Sequence, residues 1–179
     1  MNETSKTSLL APYVLLALDP GPKQSGLVRL EAGRLVRAEV VDNENLWAVL
    51  NDAGTAWGEK ARCELAIEGI ASYGMPVGAE TFETCIWIGR AWQMWHAATQ
   101  GKNPTVIYRR EVKLHLCGSP KAKDANIRQA LIDRLGPPGT KKAPGGTYAV
   151  KSHAWAALAL AMTAWDRLSG AAEPGELMT

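Results

Sequence analysis

The sequence predicts an α/β protein with a mixed central sheet, three antiparallel strands followed by parallel ones, flanked by helices. Three observations point there. Short apolar runs at 15–19, 63–67 and 105–108 have the length and composition of buried strands. Longer stretches at 79–99, 124–135 and 151–168 carry apolar residues at helical spacing. The first run is followed by two more extended segments across short, turn-rich links, which suits neighbouring antiparallel strands rather than crossovers. The chain of 179 residues can bury a real core, and no repeat or linker divides it. The expected organisation is one domain over 13–169, with flexible ends at 1–12 and 170–179.

Leu15-Leu16-Ala17-Leu18 runs straight into Asp19 and stops at Pro20-Gly21-Pro22. A buried strand thereby delivers a carboxylate to the edge of a hydrophobic core, which is costly unless the charge is paired or binds a metal. Segment 27–30 resumes extended character, 31–34 reads as a turn, and 35–41 alternates well enough for a third strand. Asn43 opens a helical stretch carrying Leu46, Val49 and Leu50. The run 63–67 is another apolar strand, and it too ends in a carboxylate, Glu68, before the glycine-containing turn 69–78.

The helix expected over 79–99 gathers Thr84, Trp87, Ile88, Ala91, Trp92 and Trp95 mostly on one side, a core pattern. After the strand 105–108, residues 109–116 read as a strand end passing into a short helix, broken at 117–120. Asp124 or a neighbour opens an amphipathic helix with Ile127, Ala130, Leu131 and Leu135. The basic, Gly/Pro-rich stretch 136–146 reads as a mobile loop. The last helix begins with Lys151-Ser152-His153 and then turns apolar.

The net charge of +2 neither demands nor excludes a polyanionic partner, but its distribution is uneven. Arg109, Arg110, Lys113, Lys121, Lys123, Arg128, Arg134, Lys141 and Lys142 face only Glu111, Asp124 and Asp133 in that third of the chain. Such a segment suits either a nucleic-acid surface or an ordinary solvated face. Cys63, Cys85 and Cys117 form no CxxC pair and predict reduced, partly buried thiols in a cytoplasmic protein. His96, His115 and His153 show no zinc-ligand spacing with them. The start of the chain lacks the basic-then-apolar order of a signal peptide, and no apolar run is long enough to cross a bilayer.

If the strands ending in Asp19 and Glu68 lie side by side and parallel, both carboxylates emerge at one sheet edge. A helix packed across that edge would add His153. Two hard oxygen donors and an imidazole suit Mg²⁺ or Mn²⁺, and such ions activate water against a phosphodiester. Each residue also has an ordinary role available: Asp19 as a turn former, Glu68 as a solvated strand end, His153 as a helix cap. The repetition of strand, acid and glycine-containing turn outweighs any single member.

The order Leu18-Asp19-Pro20-Gly21 with Ser25-Gly26, then Ala66-Ile67-Glu68-Gly69, then Ala157-Leu158-Ala159-Leu160-Ala161 on the last helix, resembles the RuvC family of Holliday-junction resolvases, and within it the phage-type branch. Residues 111–118, followed by a basic turn and a helix, look like that family's substrate-facing segment. The resemblance spans about 14–166. It implies a ribonuclease-H-like fold, a homodimer in the cytoplasm of a bacterial or phage-infected cell, and Mg²⁺- or Mn²⁺-dependent cutting of branched DNA.

By the same resemblance, Asp19 and Glu68 match the family's strand carboxylates that hold the metals. The family's last helix supplies two Asp residues three apart; those positions here are His153 and Ala156. Alanine cannot bind metal, so Asp124 is a candidate substitute, with a first-turn helix acid as its ordinary role. The family's lysine at the scissile phosphate falls on Asp124, with Lys123 beside it and Lys121 close by, so Lys123 or Lys121 is expected in that role, and Lys113 matches a lysine near the DNA backbone. Arg128, Lys141 and Lys142 complete the expected backbone contacts, and Tyr73 and Met75 would wedge against bases at the branch point. Two other readings stand beside this one: a different ribonuclease-H-like nuclease, or a catalytically dead junction-binding protein, which Ala156 suggests.

Overall fold

A computed structural model of the chain describes residues 13–57, 63–72, 74 and 76–170. Strand β1 (Val14–Asp19) is followed by β2 (Gln24–Glu31) and β3 (Arg34–Asp42), then helix α1 (Leu46–Trp57). Strand β4 (Cys63–Gly69), helix α2 (Ala79–Ala98) and strand β5 (Thr105–Tyr108) come next. Three helices close the chain: α3 (Arg109–Cys117), α4 (Asp124–Leu135) and α5 (Ala154–Ser169).

The sheet order is β3-β2-β1-β4-β5. The first three strands pair antiparallel, and β4 and β5 join β1 in parallel. This is the mixed sheet that the sequence predicts. The short links between β1, β2 and β3 permit only antiparallel neighbours, whereas α1 and α2 supply the long crossovers that parallel neighbours need.

Side-chain alternation divides the core in two. Leu15, Ala17, Val28, Leu30, Ala66 and Ile107 pack with Val112, Ile127, Leu131 and α5. Val14, Leu16, Leu18, Leu65 and Ile67 pack on the other face with Leu46 and Leu50 of α1 and Ala91 and Trp95 of α2. Helix α5 is buried from Ala157 to Ala164 without interruption. Its alanines let the helix axis approach the sheet, so the apolar run that looked like one face of a helix is enclosed on nearly all sides.

Four expectations are corrected. Residues 109–117 are helical throughout, because Glu111 accepts the Tyr108 backbone N–H at 2.8 Å and caps the helix at once. Helix α5 begins three residues later than expected: Ser152 takes φ 44°, so 151–153 form a tight turn that aims the helix at the sheet. The loop 136–146 closes on itself, with Gly145 N–H donating to Pro138 O at 2.9 Å and Thr147 Oγ1 to Gly136 O at 2.9 Å. Of the cysteines, Cys63 is buried, with burial pushing its thiol up to about 12, but Cys85 is exposed.

Candidate active site

Leu18 pairs with Ile67 across β1 and β4, so Asp19 and Glu68 follow as neighbours one residue on. By strand alternation from Ala17 and Ala66, both side chains leave the sheet on the face covered by α5. The expected parallel pairing therefore brings the two carboxylates together. Burial is the main reason both are reluctant to ionise. Asp19 is pushed up to about 6, with Arg109 and His153 pulling the other way. Glu68 is pushed up to about 7 by burial and then by the charge of Asp19.

Arg109 is the first residue of α3, directly after β5, whose Tyr108 pairs with Gly69 of β4. Its guanidinium therefore reaches the carboxylates: Nη1 lies 3.5 Å from Glu68 Oε2, and Nη2 2.8 Å from Asp124 Oδ1. Asp124, the first residue of α4, is held below the usual carboxylate range chiefly by that hydrogen bond. Sequence reasoning placed Arg109 only in a basic stretch. The signal available was its position, immediately after the strand parallel to the one that carries Glu68.

His153 comes to the same place because of Gly26. Gly26 pairs with Asp19 across β1 and β2, and a Cβ on it would collide with the His153 carbonyl. The start of α5 thus rests on β2 beside Asp19. His153 is exposed and lines a cavity of about 490 Å³ together with Arg109, Asp124 and Ala156. Ala156 therefore faces the site, and Asp124 stands in the wall of the same cavity.

The donor set suits a hard divalent cation. Asp19 and Glu68 are adjoining, partly buried carboxylates with raised proton affinities, and an added cation would relieve both their desolvation and their mutual repulsion. Asp124 and His153 act electrostatically on Asp19 from the surrounding wall. Among the described residues, no three His, Cys, Asp or Glu side chains already stand close enough to form a cage.

The expected DNA-contacting cations separate into groups. Lys113 and Lys121 line a second cavity of about 490 Å³ with Arg109, Arg110 and Pro120, and Arg109 links it to the carboxylates. Lys123 is exposed at the start of α4, where Asn126 Oδ1 accepts its backbone N–H at 3.0 Å. Arg128 lies over the Trp155 ring, 4.5 Å from the centroid. Lys141 and Lys142 are exposed on the closed loop and line neither cavity. Arg134 is no part of a free basic surface: both its terminal nitrogens bind Asp166, at 2.6 Å each. Tyr73 and Met75 lie outside the described residues.

No protein-family model matches the sequence, and no curated protein matches it. Among solved structures, the chain is similar to the Thermus thermophilus RuvC structure, with 22% identity and a TM-score of 0.63 over 90% of this chain and 99% of that one. It is also similar to T. thermophilus RuvC in complex with a Holliday junction substrate, with 23% identity and a TM-score of 0.61 over the same shares. The five-stranded mixed sheet with its flanking helices is therefore the ribonuclease-H-like fold that these RuvC structures share.

Proposed function

We propose that this protein is a structure-selective DNA endonuclease that resolves Holliday junctions and related branched DNA by divalent-metal-dependent phosphodiester hydrolysis. The observation that carries this reading is the pair of adjoining, partly buried, hard-to-ionise carboxylates, Asp19 and Glu68, beside Arg109, which lines a cavity with Arg110, Lys113 and Lys121. The RuvC fold supports it, one of its solved representatives holding a Holliday junction substrate.

Asp19 and Glu68 would hold Mg²⁺ or Mn²⁺, with His153 and Asp124 as further ligands. When bound, the ion supplies an activated water and stabilises the leaving oxygen of the phosphodiester. The chain's own cations do the rest. Arg109 keeps Glu68 and Asp124 partly neutralised and is placed to meet a phosphate oxygen entering the hollow. Lys113 and Lys121 hold the adjoining backbone, and Lys123, Arg128, Lys141 and Lys142 extend the contact along the strand. Phosphate contacts position without reading sequence, so selectivity rests on branch geometry, and binding weakens as salt rises.

A homodimer fits this activity, because symmetric cuts in a four-way junction need two sites related by a two-fold axis. Helix α2 offers the surface: Phe82 is 61% exposed and Ile86, one turn on, 54%. Most of its remaining aromatic residues face the core.

The test is cleavage of synthetic four-way junctions with Mg²⁺ or Mn²⁺, run beside Asp19→Asn. Metal-dependent paired cuts by the native protein and none by the variant are expected; equal cutting by both would overturn the proposal. Ala156 favours one competing reading, a junction-binding protein that does not cut. Tight junction binding with no cleavage in either metal would establish that reading instead. Preference for flaps or RNA–DNA hybrids over four-way junctions would point to a different nuclease of the same fold.

A further inference from the structure

The cavity beside the carboxylates is lined by more than the proposed metal ligands. Helix α4 presents Asp124, Ile127 and Arg128 to it, at the three- and four-residue spacing that puts side chains on one helix face. Helix α5 presents Trp155 and Ala156. Trp155 is only half buried, lies between the fully buried Ala154 and Ala157, and turns its remaining surface toward the cavity. The Arg128 guanidinium rests against that indole, 4.5 Å from the ring centroid. Arg109 and His153, which act electrostatically on Asp19, line the same cavity.

The Arg128 guanidinium lies over the indole face, so the flat surface of this wall is a guanidinium backed by an aromatic ring, and the Arg109 guanidinium lines the same cavity. Ala156 lines it too, with only a methyl group. This combination matches a nucleotide, whose base stacks on a flat cation and whose phosphate pairs with a guanidinium. The cavity volume of about 490 Å³ is in the range of sites that enclose small organic groups. A junction, unlike a continuous duplex, has bases at its branch point whose stacking is already interrupted, so drawing one out costs little.

We propose that this cavity receives an unpaired nucleobase next to the phosphate under attack, stacked on the Trp155–Arg128 pair, and that Trp155 thereby sets where along the strand the protein engages. The inference rests on the proposed junction-binding function. It gives Arg128 a task beyond backbone attraction, that of stacking on the base, and makes Trp155 the ring that holds this guanidinium flat.

The test pairs a missing base with a missing ring, in metal-free buffer so that no cutting intervenes. An abasic site is moved through the nucleotides on either side of the branch point of a four-way junction, and affinity is measured by fluorescence anisotropy. At one position the native protein should lose roughly five- to hundred-fold in affinity, the range for removal of one base–aromatic stack. The same lesion should cost Trp155→Leu little, because the ring that holds the stacking guanidinium flat is already gone. Trp155→Phe should retain most of the discrimination, and Arg128→Ala, at an exposed position, should lose part of it. Equal losses in native protein and Trp155→Leu, or no sensitive position in the native protein, would overturn the inference while leaving junction binding intact. Should Trp155→Leu fail to fold, Arg128→Ala decides by the same comparison. No junction binding by the native protein would overturn both this inference and the proposed function.

Discussion

The Arg109 guanidinium stands 3.5 Å from the Glu68 carboxylate across 41 positions of sequence. Parallel pairing of β4 and β5 creates this contact, because each strand ends at the same sheet edge and the next residues emerge together. A fixed cation therefore sits where two partly buried carboxylates would otherwise repel each other with less relief.

Arg109→Gln removes that cation. The metal-free protein should become less stable at pH 8, and Mn²⁺ should bind more tightly, by about tenfold or more for the loss of a unit charge at this distance. Isothermal titration checks the affinity. An unchanged or weaker affinity would show that Arg109 does not share the cation's place.

The raised carboxylates also set a pH dependence. Asp19 and Glu68 ionise near 6 and 7 in the folded protein, against ordinary values of about 4. Between about pH 4 and pH 7 the folded state binds more protons than the unfolded one, so metal-free stability should fall as pH rises through that window. At pH 8, Glu68→Gln and Asp19→Asn should each stabilise the metal-free protein, on the order of 1–3 kcal/mol. Saturating Mn²⁺ should reverse the trend in the native protein. Thermal melts from pH 4 to 8 would refute the account if they stay flat or rise across the window.

Asp166 behaves in the opposite sense. Burial would raise it, but hydrogen bonds from Arg134 and His115 outweigh that and hold it below the usual carboxylate range. The stability it contributes is present above its unfolded value and is lost as pH falls through its lower folded one. The network ties α5 to α4 and to α3, with His115 Nε2 2.8 Å from Asp166 Oδ2. Asp166→Ala should cost about 2–4 kcal/mol in urea unfolding, because it strands a buried histidine and a partly buried arginine. A loss under 1 kcal/mol would mean that solvent replaces the carboxylate.

Gly26→Ala should displace the start of α5. The added methyl would meet the His153 carbonyl, which is backbone and cannot swing aside. A loss of roughly 1–3 kcal/mol is expected, as for overpacking elsewhere, together with weaker Mn²⁺ binding at Asp19. Gly78→Ala, where nothing lies within 4 Å, serves as the control. Equal behaviour of the two variants would show that the contact is easily relieved.

The strands, the long helices and the convergence of Asp19 with Glu68 were all legible in the sequence. Apolar runs of strand length carry their own local signal, and two such runs ending in acids imply a shared edge once they are parallel neighbours. His153 was legible as the polar opening of an otherwise apolar helix. Other features were not. Arg134 looked like part of a basic surface, yet its partner Asp166 lies 32 residues further on. Residues 136–146 looked loose from composition alone, because glycine and proline signal turns without saying whether those turns bond to one another. Tyr73 and Met75, read as a wedge, fall outside the described residues.

By itself the sequence determined the class of fold, the order of its elements and the two carboxylates at its centre. Each of these follows from hydrophobic periodicity and chain breakers acting over a few residues. Only the tertiary structure decided which cation meets those carboxylates, that Gly26 seats His153 beside them, and that Trp155, Arg128 and Ala156 share a cavity with Asp124. Those contacts join residues on different elements, and their distances are set by strand register and helix packing rather than by local spacing.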